Sequence, residues 1–191
     1  TKLMDGQGRV MAGAVCSSRE WIEEKLSPFQ RNTGPICAPF NAWVVMKGLE
    51  TLPLRAPAQS ANALQVAKFI EDRGLRVLHP WLPSHPQHDL AKRQMVAAGP
   101  IFAFFAPGSG EQAKENAMAI CNALELVDIS NNIGDAKSLM CHPATTTHHN
   151  MGAEGRAAAG IEDGMLRINV GLEDPLDLIE DIGQALDKAG V

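Results

Sequence analysis

Short apolar runs alternate with segments of helical period from one end of this chain to the other, and that order confines it to an α/β architecture. Val10 to Cys16 is an apolar run that predicts a buried strand. Ser17-Ser18-Arg19-Glu20 follows with capping-box spacing, which makes Trp21 to Leu26 its helix. After a loop through Asn32-Thr33-Gly34-Pro35, Asn41 to Leu52 reads as a second, apolar helix. Pro53 and Pro57 are expected to end it, because each lacks an amide proton and its ring crowds the preceding turn. A domain boundary is expected there, dividing residues 1–57 from residues 58–191.

Beyond that point Ala63, Val66, Ala67 and Ile70 recur at one-turn spacing, and Gly74 stands where a left-handed glycine closes a helix. Leu75 to Leu78 and Ile101 to Ala106 predict strands, and Pro86 to Met95 a short polar helix. Ala113, Ala117, Ile120, Cys121 and Leu124 return to helical spacing. Met165 to Gly171 alternates, with Leu166, Ile168 and Val170 on one face and Arg167 and Asn169 on the other. Asp174-Pro175 places an N-cap before a proline at the first helical position. Leu178, Ile179, Ile182, Ala185 and Leu186 form the buried stripe of that last helix. Residues 58–191 are therefore expected to make a compact α/β domain of their own.

Composition narrows the function classes. Hydrophobic residues at 45% suffice for a core, and a net charge of −5 with no Lys/Arg cluster disfavours nucleic acid and anionic membrane as partners. No apolar run approaches the roughly 20 residues that span a bilayer. Cys16, Cys37, Cys121 and Cys141 lack CxxC spacing, so a reduced, cytoplasmic setting is expected. Cys141, with no activating base beside it in sequence, reads as a packed thiol. The loop histidines (His142, His148 and His149; His79, His85 and His88) include no helical i, i+4 pair, so no metal is expected. The chain opens on Thr1-Lys2 without an initiator Met and contains no Tyr, which together predict a piece of a longer chain.

By residue type alone, Lys2 is a surface lysine beside a turn, and Arg167 is an edge-strand arginine. The wider strings change both readings. Thr1-Lys2-Leu3-Met4-Asp5-Gly6-Gln7-Gly8-Arg9 resembles the segment around the cofactor lysine of the Cys/Met-metabolism pyridoxal-phosphate enzymes. Arg31-Asn32-Thr33-Gly34-Pro35, Pro39-Phe40-Asn41-Ala42-Trp43, Lys47-Gly48-Leu49-Glu50-Thr51-Leu52 and Leu82-Pro83-Ser84-His85-Pro86-Gln87-His88 are similar to signatures of that family, in family order. So are Asn132 to Leu139, His142 to His148, and Leu166 to Asp174.

This resemblance implies the carboxy-terminal part of a fold-type I pyridoxal-phosphate-dependent transferase: the end of the large cofactor domain followed by the small α/β domain. It implies pyridoxal 5′-phosphate as cofactor, with Lys2 as the lysine that binds it and the Thr1 hydroxyl on its phosphate. It implies that Arg167 holds the substrate carboxylate, as a guanidinium fork does, and that Ser138 and Thr147 line the same pocket. Gly134-Asp135-Ala136-Lys137-Ser138 resembles the sulfhydrylase branch, while the Pro39–Trp43 and Leu82–His88 strings look closer to users of a succinyl than of an acetyl ester. The implied partners are an amino-acid ester, sulfide, a missing amino-terminal half and further subunits of a homotetramer. Ring-stacking and ring-nitrogen partners lie before the lysine in the family, so this chain alone is expected to be inactive. A non-catalytic subunit-binding relic and a free-standing metal or thiol protein are the competing classes.

Overall fold

The computed structural model describes residues Thr1–Val191. Strands β1 (Arg76–Leu78), β2 (Ile101–Phe105), β3 (Asp128–Ile129), β4 (Leu139–Cys141) and β5 (Met165–Asn169) form one mixed sheet. Their order is β1-β2-β5-β4-β3, antiparallel throughout except for the parallel β3–β4 pair. The most fully alternating segment of the sequence, β5, occupies the centre, pairing Ile101 to Phe105 on one side and Leu139 to Cys141 on the other.

Three helices cover the apolar side of this sheet: α3 (Pro39–Asp72), α5 (Gly110–Ala123) and α7 (Pro175–Lys188). Helix α7 starts as expected, with the Asp174 carboxylate accepting from the Leu176 amide at 2.8 Å ahead of Pro175. Its stripe of Leu178, Ile182, Ala185 and Leu186 is wholly buried against Phe104, Ile120, Leu166 and Ile168. Each large aliphatic side chain so buried contributes about 2 kcal/mol. Shorter helices are α1 (Arg19–Trp21), α2 (Ser27–Thr33), α4 (His88–Gln94) and α6 (Gly152–Ala158). A π-turn over Ile22–Leu26 joins α1 to α2, Ser18 Oγ caps the run by accepting from the Trp21 amide, and Gly34 closes it in the left-handed conformation. No helix is long and apolar enough to cross a membrane.

Two expectations are corrected. Pro53 and Pro57 do not end a helix; both lie inside the 34-residue α3. They are spaced one turn apart and both are exposed, so the Leu49 and Pro53 carbonyls they leave without an amide partner share one solvent-facing side. The opposite side (Gly48, Arg55, Gln59, Ala63, Val66) is buried and bonded to the rest of the protein, which holds the helix straight through both rings. Nor does Val10–Cys16 form a strand. Only Val10 is buried there, while Met11 is 83% exposed, because no sheet edge lies beside the segment to pair its backbone.

All 21 members of the main core lie at or beyond Ala63. On that distribution we propose that residues 58–191 form a unit continuous with residues 1–57 through α3 itself, not through a linker.

Asp181 on α7 locks this core. Its carboxylate accepts from the backbone amides of Glu125 (2.8 Å), Leu126 (3.0 Å) and Val127 (2.9 Å), tying the end of α5 to α7. Burial pushes its pKa up, but these amides and the Gln184 side chain outweigh burial and hold it below the usual carboxylate value. A depressed folded pKa contributes stability above the unfolded value and loses it as pH falls through the folded one. Asp181→Ala should therefore cost about 3 kcal/mol near neutrality, lowering Tm by roughly 6–12 °C. Calorimetry should show the difference from the unmodified protein shrinking as pH drops below 3.8.

Candidate active site

The segment that carries Lys2 is a tight turn folded around a buried acid. Asp5 is 1% exposed and accepts from the Arg9 amide (2.6 Å) and Arg9 Nε (2.9 Å), while Arg9 Nη2 donates to the Asp5 carbonyl (2.8 Å). Burial raises the Asp5 pKa, but the Arg9 amide, side chain and charge, with the Val10 amide, together hold it below the ordinary range. The Gly6 amide closes the turn onto the Lys2 carbonyl at 2.8 Å. The Asp-Gly-Gln-Gly-Arg string is thus a clasp that shapes the backbone presenting Lys2. The Lys2 side chain is exposed and its amine pairs with no acid. Thr1 Oγ1 donates to the Ala12 carbonyl and accepts from the Ala12 amide, both at 2.8 Å.

Against this turn lies the segment Asn131–Ser138. The Ala136 amide donates to the Gly6 carbonyl at 2.7 Å. Gly134 adopts a φ of 75° and approaches so closely that a Cβ there would stand 2.7 Å from the Leu3 nitrogen. From behind, β5 grips the same segment. Asn169 Oδ1 accepts from the Gly134 amide (2.6 Å), and Nδ2 donates to the carbonyls of Asp135 (3.1 Å) and Lys137 (2.9 Å). Arg167, two residues earlier on β5 and half-buried, donates through Nη2 to the Asn131 carbonyl at 2.8 Å and faces no carboxylate. The turn bearing Lys2 and the Arg167 side chain are therefore both held against one short segment.

Beside the turn opens a cleft of about 910 Å³, lined among others by Thr1, Gln7, Arg9, Asn132, Asp135 and Lys137. Ser138 does not line it. Its hydroxyl donates to Glu173 Oε2 (2.8 Å) and accepts from the Gly171 amide (2.8 Å), and its amide donates to Glu173 Oε1 (2.7 Å). The side chain is spent on holding the segment to the loop after β5. Thr147 is exposed on the stretch after β4, with its hydroxyl 2.8 Å from His148 Nδ1 and no hydrogen bond to the other candidates. Asn132 and Asp135 are cleft residues that the sequence reading gave no role of their own; their signal was their place in the Asn132 to Leu139 string. Asn169 was placed on a polar face with Arg167, yet it is 1% exposed, because its amide is consumed by backbone groups.

The histidines are spread out. His142 bonds Thr145 Oγ1 (2.9 Å) and the Asp163 carbonyl (2.6 Å). His79 is buried and held to a pKa of about 4 by desolvation and by His85. No three His, Cys, Asp or Glu side chains converge. Cys141 is a buried free thiol on β4.

This sheet, with a lysine turn and an unpaired arginine meeting at one loop, defines the carboxy-terminal part of a fold-type I pyridoxal-phosphate enzyme. The family profile described as Cys/Met metabolism PLP-dependent enzyme matches residues 1–187, and the chain belongs to that family. It is 52% identical over 188 residues to an O-succinylhomoserine sulfhydrylase of Mycobacterium tuberculosis, covering 97% of this chain and 46% of that protein. It is 44% identical to an O-succinylhomoserine sulfhydrylase of Pseudomonas aeruginosa over 97% of this chain and 45% of the relative. Among solved structures it superposes with a TM-score of 0.91, at 33% identity, on cystathionine gamma synthase from Xanthomonas oryzae pv. oryzae in complex with aminoacrylate and cysteine, covering 99% of this chain and 48% of that one. The chain thus spans about half the length of the relatives it matches.

The family's cofactor is pyridoxal phosphate, and the residues present fit its aldehyde end. A lysine amine free of ion pairs stands on the turn whose residues Thr1 and Gln7–Val10 line the cleft, although neither Lys2 nor Arg167 lines it directly. Thr1 fits less directly, since donating to a phosphate oxygen requires exchanging its bond to Ala12.

The geometry makes Asn169 the side chain on which this loop depends. Asn169→Ala strands the Gly134 amide and the Lys137 carbonyl, at a cost of about 3 kcal/mol. Hydrogen exchange should rise selectively at residues 134–138, and a uniform rise across the sheet would show that the amide does not act locally.

Proposed function

We propose that this chain serves as the carboxy-terminal half of an enzyme about twice its length, working as a homotetramer, that performs a γ-replacement: O-succinylhomoserine and sulfide give homocysteine and succinate. The observation that carries this reading is Arg167. A guanidinium with one donor engaged by the Asn131 carbonyl and no acid opposite it can receive a carboxylate, and the segment it bonds is the one that packs on the lysine turn. The two sulfhydrylase relatives and the Gly-Asp-Ala-Lys-Ser string support the choice of sulfide as acceptor.

When bound, pyridoxal phosphate supplies an electron sink that stabilises negative charge at the substrate carbon. Lys2 Nζ would hold the cofactor, and the same amine would carry protons at the substrate Cα and Cβ. Arg167 grips the α-carboxylate through its remaining donors, which orients the Cα–H bond toward Lys2. Thr1 would donate to the phosphate end on exchanging its bond to Ala12, and Thr147 would border the substrate. Ser138 acts one step removed, through the segment it anchors.

Arg167→Lys keeps the charge but loses the fork. A charge-assisted hydrogen bond contributes about 1.5–3 kcal/mol, so kcat/KM for the ester should fall on the order of 10- to 150-fold. The visible absorbance of bound cofactor and the Tm should stay unchanged; full activity in the lysine variant, or loss only through unfolding, would make Arg167 structural.

The reaction itself is checked by comparing kcat/KM for the succinyl and acetyl esters, each with sulfide and with cysteine as acceptor. The succinyl ester with sulfide should give the highest value. A preference for cysteine would make the enzyme a synthase, and an acetyl preference would overturn the acyl assignment.

A further inference from the structure

Arg55 has no place in the chemistry described so far, yet it is a buried charge without a counter-ion. It sits on α3 at 8% exposure and forms no ion pair. Its Nε donates to Thr51 Oγ1 (2.9 Å), and its Nη2 donates to the carbonyls of Gly48 (2.8 Å) and Leu3 (3.1 Å). Its Nη1 is buried with no partner and lies beneath Gly6, where an added Cβ would overlap the guanidinium. One helical turn before Thr51, Gly48 lets the backbone of α3 come up against Met4 and Asp5; a Cβ there would overlap the Met4 carbonyl.

A guanidinium removed from water and facing two carbonyls and a hydroxyl is a poor stabilising device, since its desolvation is not offset by an anion. What it does accomplish is specific. Leu3 follows Lys2 directly, and Arg55 supplies the side-chain hydrogen bond made to the Lys2–Met4 backbone. The lysine turn is thereby fastened below to α3 by Arg55 and Gly48. Above, it is fastened to the Asn131–Ser138 segment by the Ala136 amide and the close approach of Gly134. We propose that Arg55 is a positioning residue for Lys2, clipping the turn that bears it to α3 so that the amine is held at one position beside the cleft that Thr1 lines. This rests on the assignment of Lys2 as the cofactor lysine.

The test uses the full-length holoenzyme with Arg55→Met, Arg55→Lys and Gly48→Ala. Borohydride reduction and peptide mapping identify the lysine that carries the cofactor, circular dichroism of the cofactor band reports how rigidly it is held, and kcat and KM are measured separately. In Arg55→Met, Lys2 should still carry the label, the cofactor dichroism should weaken, and kcat should fall about 100-fold, the effect of misplacing a catalytic group by about 1 Å. KM for the ester should move less than about threefold, because Arg167 is untouched. Arg55→Lys, able to reach a single carbonyl, should recover about tenfold of the lost kcat. Wild-type kcat and cofactor dichroism per folded active site, with only Tm lowered, would overturn the proposal and leave Arg55 a structural residue. If Arg55→Met yields no folded enzyme, Gly48→Ala decides, since it lifts the turn and leaves the guanidinium in place; an unchanged kcat there overturns the proposal too. Label on another lysine would instead overturn the underlying assignment of Lys2.

Discussion

The amide side chain of Asn169 satisfies a loop that cannot satisfy itself. Segment Asn131–Ser138 makes two of its close backbone contacts outward, to the lysine turn, and it leaves β3 without entering β4 until Leu139. The Ala136 and Ser138 carbonyls accept from the Leu172 and Asp128 amides, and Asn169, Gln59 and Glu173 pair further groups from β5, α3 and the loop after β5. Each of these partners comes from a different element, so the segment has one position, defined by the folded core. Lys2 and Arg167 inherit that position because both are fastened to the same short stretch.

The second constraint is the length of α3. A helix interrupted at Pro57 would separate Gly48 and Arg55, which meet the lysine turn, from Gln59 and Asn62, which meet Asp135 and the loop after β5. Continuity makes them one rigid edge. The two prolines are tolerated because their unpaired carbonyls face water, where a lost amide partner is replaced at little cost. A proline in place of Gln59, on the buried side, would instead strand the Arg55 carbonyl away from water.

Local pattern was a sound guide where burial is one-sided. The alternation of Met165 to Gly171, the Asp174-Pro175 start and the stripe of α7 all appear as read, since a strand or helix with one apolar face has one way to bury it. It failed where the outcome depends on a distant partner. Val10–Cys16 is apolar enough for a strand but has no edge to join, and Asn169 looks solvent-facing until the loop that covers it is in place. Strands β3 and β4 are too short to show a period at all.

The candidate site divides in the same way. The sequence by itself determined the class of chemistry, because the lysine string, the arginine of the alternating strand and the order of the family signatures are local and survive in one dimension. By resemblance it also implied that Arg167 and Lys2 belong to one site, without showing how. Only the tertiary structure decided what joins them: that Ser138 is an anchor whose hydroxyl is consumed by Glu173 and Gly171, and that Asn132 and Asp135 face the cleft. It also decided that Arg55 lies beneath the lysine turn, 52 residues away in the chain. The physical reason is that hydrogen-bond partners are chosen by proximity after packing, whereas apolar periodicity is written residue by residue before it.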